Sequence, residues 1–196
     1  NDLCAAVAAW SGAQVAHALV PGDWEGRPGS LEGGAPRYAR SMSQVADRLR
    51  KLGAAPGLTV DPVLTASGSA SCTVDTPDGR RWLNLSAREG KQAAIANIKK
   101  TLSWGFDFYV VRPSAIPDEA LKHFNMTRTQ ADQIAFAAVL EAAGGKPVLP
   151  AAASTVKPEL AAWLTAAAAT SRMGEFLVTG GPVRFAHPHP QDGRPL

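Results

Sequence analysis

Phe106-Asp107-Phe108-Tyr109-Val110-Val111 runs from the turn Trp104-Gly105 to the stop Arg112-Pro113. Aromatic and β-branched residues at every position but Asp107, between a turn and a proline, predict a strand. Apolar residues at successive positions predict one covered on both faces. Upstream, Ser86 to Leu102 predicts a helix, with Ser86 as cap, Glu89 at capping-box spacing and Ile95, Ile98 and Leu102 on the buried stripe. Downstream, Thr127 to Ala143 predicts a second helix ended by Gly144-Gly145, then a short strand over 146–149.

The same alternation extends outward. Gln14 to Val20 predicts a strand ended by Pro21-Gly22, and a Gly- and Pro-rich loop follows to about Pro36. Ser41 to Leu52 predicts a helix, with Ser43 as its cap, Val45, Leu49 and Leu52 at apolar spacing and Gly53 as its stop. Gly57 to Val60 predicts a buried strand ending at the carboxylate of Asp61. Residues 65–81 are expected to be a polar loop, and Trp82 to Leu85 a brief extended piece. Asp2 to Trp10 and Pro158 to Ala169 predict further helices. Glu175 to Thr179 and Val183 to Ala186 predict the last strands.

Strand and helix alternate throughout, with short connections from helix to strand and long loops at strand ends. This pattern predicts parallel strands with right-handed crossovers. Long loops gathered at one end of the sheet predict a (β/α) barrel of TIM-barrel type, whose site lies at the C-terminal face. A doubly wound sheet is the rival, but no G-x-G-x-x-G and no G-x-x-x-x-G-K-[ST] is present. A complete eight-unit barrel takes about 250 residues. The 196 residues here supply about five or six strands, so the expectation is a partial or small barrel. It would occupy residues 1–196 as one domain, with 187–196 as an irregular tail. Without an initiator Met, the chain is expected to be processed or to be a piece of a longer protein.

Composition narrows the function classes. Apolar residues make up 45% and charged residues 19%, which predicts a globular chain. Twenty Lys and Arg against 17 Asp and Glu give a scattered net charge of +3, which does not predict a nucleic-acid partner. No stretch of about 18 apolar residues occurs, so no membrane span is expected. Cys4 and Cys72 could form one disulfide in an extracellular chain or stand as two buried thiols. No cofactor is expected.

Three stretches in order resemble the barrel of the α-galactosidase (melibiase-type) retaining glycosidases. The first is Gln14-Val-Ala-His-Ala-Leu-Val-Pro-Gly-Asp23-Trp24, similar to a strand running into an Asp-Asp-Gly-Trp turn that contacts sugar hydroxyls. The second is the helix ending at Gly53, followed by Pro56-Gly57-Leu58-Thr59-Val60-Asp61-Pro62. The third is Leu83-Asn-Leu-Ser86, a helix, then Leu102-Ser-Trp104-Gly105-Phe106-Asp107-Phe108-Tyr109, similar to the approach to the nucleophile strand. The resemblance covers about residues 14–150. It implies a sugar-related barrel and a carbohydrate ligand, but it assigns no nucleophile. The family's Lys-x-Asp falls here on Val110 and Arg112, and its later Arg-x-x-x-Asp falls on Arg184 to Pro188, where no carboxylate stands.

The candidate catalytic carboxyls are therefore Asp61, at a strand end, with Asp23 or Glu25 on the loop after the first strand. Retaining glycosidases require two such groups. Asp61 could equally cap a turn before Pro62. Trp24 is a candidate for stacking on a sugar ring, or a ring that covers the end of the barrel. Arg112 could clamp a carboxylate, a phosphate or a uronic acid, or pair with Asp61 or Asp107. Trp104 and Arg184 complete the candidate substrate contacts, with packing the stronger role for Trp104. His187 and His189 lack a third metal ligand at suitable spacing. His17 reads as core. Three roles remain open: a glycoside hydrolase, a non-catalytic carbohydrate-binding relative, and a structural segment completed by the remaining domains of a parent chain.

Overall fold

The structure, a computed structural model, describes residues 17–20, 24–25, 29–30, 41–69, 71–112 and 115–150. In chain order the elements are β1 (His17–Val20), α1 (Met42–Lys51), β2 (Ala55–Val60), β3 (Thr73–Asp75), β4 (Arg81–Leu83), α2 (Arg88–Thr101), β5 (Phe108–Val111), α3 (Asp118–His123), α4 (Arg128–Ala142) and β6 (Val148–Pro150). The predicted helices over 2–10 and 158–169, the strands after residue 170 and the tail lie outside the described residues, as do Asp23 and Arg184.

Four strands, β1, β2, β5 and β6, form one sheet in that order, all parallel. The registers run from His17↔Ala55 to Val20↔Leu58, from Gly57↔Phe108 to Val60↔Val111, and from Tyr109↔Val148 to Val111↔Pro150. Strand order thus follows chain order with no reversal among the described residues. A doubly wound sheet reverses at its switch point and carries helices on both faces.

Here the three long helices pack on one face. The pleat puts Ala18, Val20, Leu58, Val60, Tyr109, Val111 and Val148 on that face. They share one buried cluster with Val45 and Leu49 of α1, Ile98 of α2 and Phe136 and Val139 of α4. The hydroxyls of Thr101 on α2 and Tyr109 on β5 meet inside it at 3.1 Å. His17, Leu19, Gly57, Thr59, Phe108, Val110 and Leu149 alternate onto the opposite face.

Local chemistry sets the helix limits, and two caps differ from expectation. Ser41, not Ser43, caps α1. Its Oγ accepts from the Gln44 N–H while the Gln44 side chain accepts from the Ser41 N–H. The earlier start adds Met42 to the buried stripe with Val45, Ala46 and Leu49. Gly53 stops the helix as predicted. At φ +87° its N–H donates to Arg50 and the Ala54 N–H to Leu49, a Schellman closure. Ser86 does not cap α2. Its hydroxyl donates to Asn84 Oδ1 at 2.6 Å, and the N-cap is Ala87, without a side-chain bond. Thr127 caps α4 in a capping box with Gln130.

The expected polar loop over 65–81 contains β3, which pairs antiparallel with β4. Arg81 holds Asp75 across this hairpin through Nε and Nη2, and the Trp82 indole N–H donates to Thr76 Oγ1 at 3.1 Å. A second buried cluster gathers Val63, Cys72, Trp82 and Leu83 with Ile116, Leu121 and Phe124. Cys72 is a free, buried thiol there, and Cys4 lies outside the described residues. The short α3 was not anticipated from the sequence.

Candidate functional site

The C-terminal edge of the sheet carries the candidate residues. β2 ends at Val60 and β5 at Val111, and these two are register partners. Asp61 and Arg112 are therefore the next residues on neighbouring strands. The Arg112 N–H donates to the Val60 carbonyl at 3.2 Å, which continues the ladder one step past the strands. By the strand alternation both belong with Thr59 and Val110, on the face away from the three long helices.

Asp61 is partly buried. Its Oδ1 accepts from the Val63 N–H at 3.4 Å, so the turn role weighed for it is present. That one long bond leaves most of the carboxylate without hydrogen-bond compensation, and the group makes no ion pair among the described residues. Burial pushes its pKa up to about 6. The Val63 N–H and the positive charges of Arg112 and Arg80 pull it down, while Asp132 adds to the rise.

Glu25 sits on the loop after β1, partly buried. Its Oε2 accepts from the Gly29 N–H at 2.6 Å. Burial pushes its pKa up to about 7 against that bond, and the charge of Asp61 adds to the rise. The loop is tied to the one that follows Asp61. The Ala66 N–H donates to the Gly29 carbonyl at 2.9 Å, and Gly29, at φ +74°, lies directly against the Thr65 backbone. Only a residue without a side chain allows that approach.

Trp24 and Trp104 take packing positions. Trp24 is 1% exposed, its indole N–H donates to the Thr59 carbonyl at 2.8 Å, and its ring meets Trp104 edge-on at 5.3 Å. The expectation that Trp24 stacks on a sugar is corrected: the ring is enclosed by the core and has no free face. Trp104 is partly buried against the same cluster.

Arg112 is exposed. Of its two expected partners, Asp107 is held instead by Arg50 at 2.8 Å. Asp61 lies within electrostatic reach but is not hydrogen-bonded to the guanidinium, which makes no hydrogen bond or ion pair among the described residues.

The structure thus brings together Glu25, Asp61 and Arg112. Sequence reasoning missed Asp132 on α4 and Arg80 on the hairpin, both of which act on Asp61. Asp132 sits in an ordinary helical pattern, and Arg80 reaches the site only because β3 and β4 fold back over the Asp61 loop. Among the described residues no group of three or more His, Cys, Asp or Glu is placed to hold a metal ion. None of their helices is long and apolar enough to cross a membrane.

No family model and no curated protein matches the chain. Solved structures do. An α-galactosidase from Thermus thermophilus, in complex with p-nitrophenyl α-D-galactopyranoside, matches with a TM-score of 0.53 at 19% identity, over 76% of this chain and 34% of that one. A GH36 α-galactosidase from Geobacillus stearothermophilus, in complex with stachyose, matches with a TM-score of 0.57 at 12% identity, over 83% of this chain and 27% of that one. A GH27 β-L-arabinopyranosidase from the same organism gives 0.52 at 13% identity, over 76% and 43%. The chain therefore spans less than half the length of each. At these identities the likeness is one of fold: a glycoside-hydrolase-like α/β arrangement of parallel strands and helices.

Proposed function

We propose that this chain is an arc of a carbohydrate-active (β/α) barrel that binds a glycan at the C-terminal edge of its sheet, with Asp61 and Glu25 as the working carboxyls. Asp23, beside them in sequence, is a further candidate. One observation carries this reading. Two partly buried carboxyls beyond the ends of adjacent parallel strands have pKa values pushed towards neutrality, Glu25 to about 7 and Asp61 to about 6. Strained ionisation of this kind clusters at functional sites.

Glycoside hydrolysis needs one carboxylic acid still protonated near neutral pH and one carboxylate. Glu25, the higher of the two, suits the acid that protonates the departing glycosidic oxygen. Asp61, the lower, suits the carboxylate that attacks the anomeric carbon or takes a proton from the attacking water. Burial raises both groups, and the charge of Asp61 raises Glu25 further. The monotonic strand order and the one-sided helices support the barrel, and the remaining strands would come from outside the described residues. The matched structures include complexes with p-nitrophenyl α-D-galactopyranoside and stachyose, which makes galactosides the first substrates to try.

A second reading has its own support. Arg112 stands at the end of β5, where the sequence resemblance places a nucleophile, and an arginine binds but does not attack. On that reading the arc binds glycans without cleaving them.

The test is hydrolysis of aryl α- and β-glycosides, p-nitrophenyl α-D-galactopyranoside among them, by the full chain and by Asp61→Asn and Glu25→Gln. Turnover that falls about 100-fold or more in either variant supports the hydrolase. Saturable glycan binding without turnover supports the binding role. Neither binding nor turnover rejects both.

A further inference from the structure

We propose that this site prefers glycans bearing an anionic group, a sugar carboxylate above all, and that Arg112 is the residue that reads it. The inference rests on the carbohydrate reading above and names the substrate class that the same site selects.

Placement is the first support. Arg112 is the first residue past β5, one of the two central strands of the sheet, and its backbone is fixed beside Asp61 by the bond to Val60. A side chain there starts from the rigid rim of the sheet, which suits recognition at a defined point.

Availability is the second. Arg50 holds Asp107 and the Gly105 carbonyl, Arg81 holds Asp75 through two nitrogens, and Arg128 holds Asp118 and the Ile116 carbonyl. Arg112 stands as near to a carboxyl as its charge effect on Asp61 requires, yet its fork is bonded to no described group. A planar fork of N–H donors matches a carboxylate through two parallel bonds.

Charge balance is the third. Arg80 from the hairpin, itself paired with Asp78 at 3.5 Å, adds a positive charge that acts at Asp61 against the negative charge of Asp132. The site carboxyls, held up towards neutrality by burial, do not cancel that charge as two fully ionised groups would. An incoming anion therefore meets a sheet edge less negative than its residue types suggest.

The test is calorimetric titration of the full chain with matched pairs of methyl glycosides. Each pair is a neutral hexoside and its uronate, in galacto, gluco and manno configurations, with the corresponding 6-sulfate as a third arm. The wild type is compared with Arg112→Gln and Arg112→Lys, with far-ultraviolet circular dichroism as the folding control. Arg112 is exposed, so both variants are expected to fold. The expected result is a preference for one uronate over its neutral partner of about tenfold or more, the size of a charge-assisted hydrogen-bonded pair. That preference falls towards unity in Arg112→Gln and is only partly kept in Arg112→Lys, which retains the charge without the fork.

A neutral hexoside that binds as tightly as its uronate overturns the inference and leaves the carbohydrate reading standing. A preference that survives in Arg112→Gln overturns the assignment to Arg112. Tighter binding of the sulfate than of the uronate overturns the carboxylate preference. Binding of no sugar in any arm overturns the inference and the carbohydrate reading together.

Discussion

Trp24 donates its indole N–H to the carbonyl oxygen of Thr59 at 2.8 Å, across 35 residues of chain. This bond fastens the loop after β1 to the next-to-last residue of β2, two residues before Asp61. It brings Glu25, the next residue along the loop, into the electrostatic neighbourhood of Asp61. A packing residue thereby holds the two candidate carboxyls near each other.

Replacing Trp24 should loosen that clamp. Trp24→Phe keeps most of the buried ring and removes the donor, which leaves the Thr59 carbonyl unpaired at a cost of about 1–3 kcal/mol. Trp24→Ala removes the ring as well and should cost about 3–5 kcal/mol. Urea denaturation checks both. Midpoints unchanged from wild type would show that the bond and the ring add nothing to stability.

Stability should fall as pH rises towards neutrality. Folding raises the Asp61 pKa from 3.8 to about 6 and the Glu25 pKa from 4.5 to about 7. The folded state therefore binds more protons than the unfolded chain between roughly pH 4 and pH 7. The contribution is fully present below the unfolded values and is lost as pH climbs through the folded ones. Solvent screening holds it to about 1 kcal/mol per group. Wild-type midpoints should be higher at about pH 5 than at about pH 8, and Asp61→Asn with Glu25→Gln should flatten the difference. A midpoint that rises with pH across this window contradicts the shifts.

Gly29 and Gly53 should respond unequally to alanine. Both have positive φ, +74° and +87°. Around Gly53 a new Cβ meets nothing within 4 Å, whereas at Gly29 it falls 2.5 Å from the Thr65 backbone. Gly53→Ala should cost about 1–2 kcal/mol, the strain of the left-handed conformation alone. Gly29→Ala should cost more, and it should displace the N–H that holds Glu25, so the pH dependence of stability should change with it. Equal midpoints for the two variants would mean that the loop yields without cost.

The helix caps give a paired comparison. Thr127→Ala removes a capping box and should lower stability by about 1 kcal/mol. Ser86→Ala, at an exposed turn outside the cap of α2, should stay within about 0.5 kcal/mol of wild type. A larger loss at Ser86 than at Thr127 would reverse the assignment.

Much of the scaffold was legible in the sequence because it is written locally. Period and stop signals gave β1, β2, β5 and the helices that end at Gly53 and Gly144, and Asp61 was visible as the carboxylate at a strand end. Short elements were not. Thr73 and Val74 are hidden among Ser, Thr and Asp, and β3 exists because β4 pairs with it. Six residues of α3 leave too few turns for a period to emerge. The cap of α1 lies two residues before Ser43 because Gln44, three residues after Ser41, closes a capping box with it.

By itself, the sequence determined the alternation of strand and helix, the helix stops at Gly53 and Gly144, and which carboxylate ends a strand. These depend on neighbours within a few residues. The tertiary structure alone decided that Trp24 lies inside the core, that the helices share one face, that the charge of Asp61 acts on Glu25, and that Asp132 and Arg80 act on Asp61. Burial and charge act through space, and the groups that shift Asp61 stand 19 or more residues from it along the chain, apart from the N–H of Val63. No local pattern records such distances. They exist only once the loops after β1 and β2 and the hairpin have folded over one edge of the sheet.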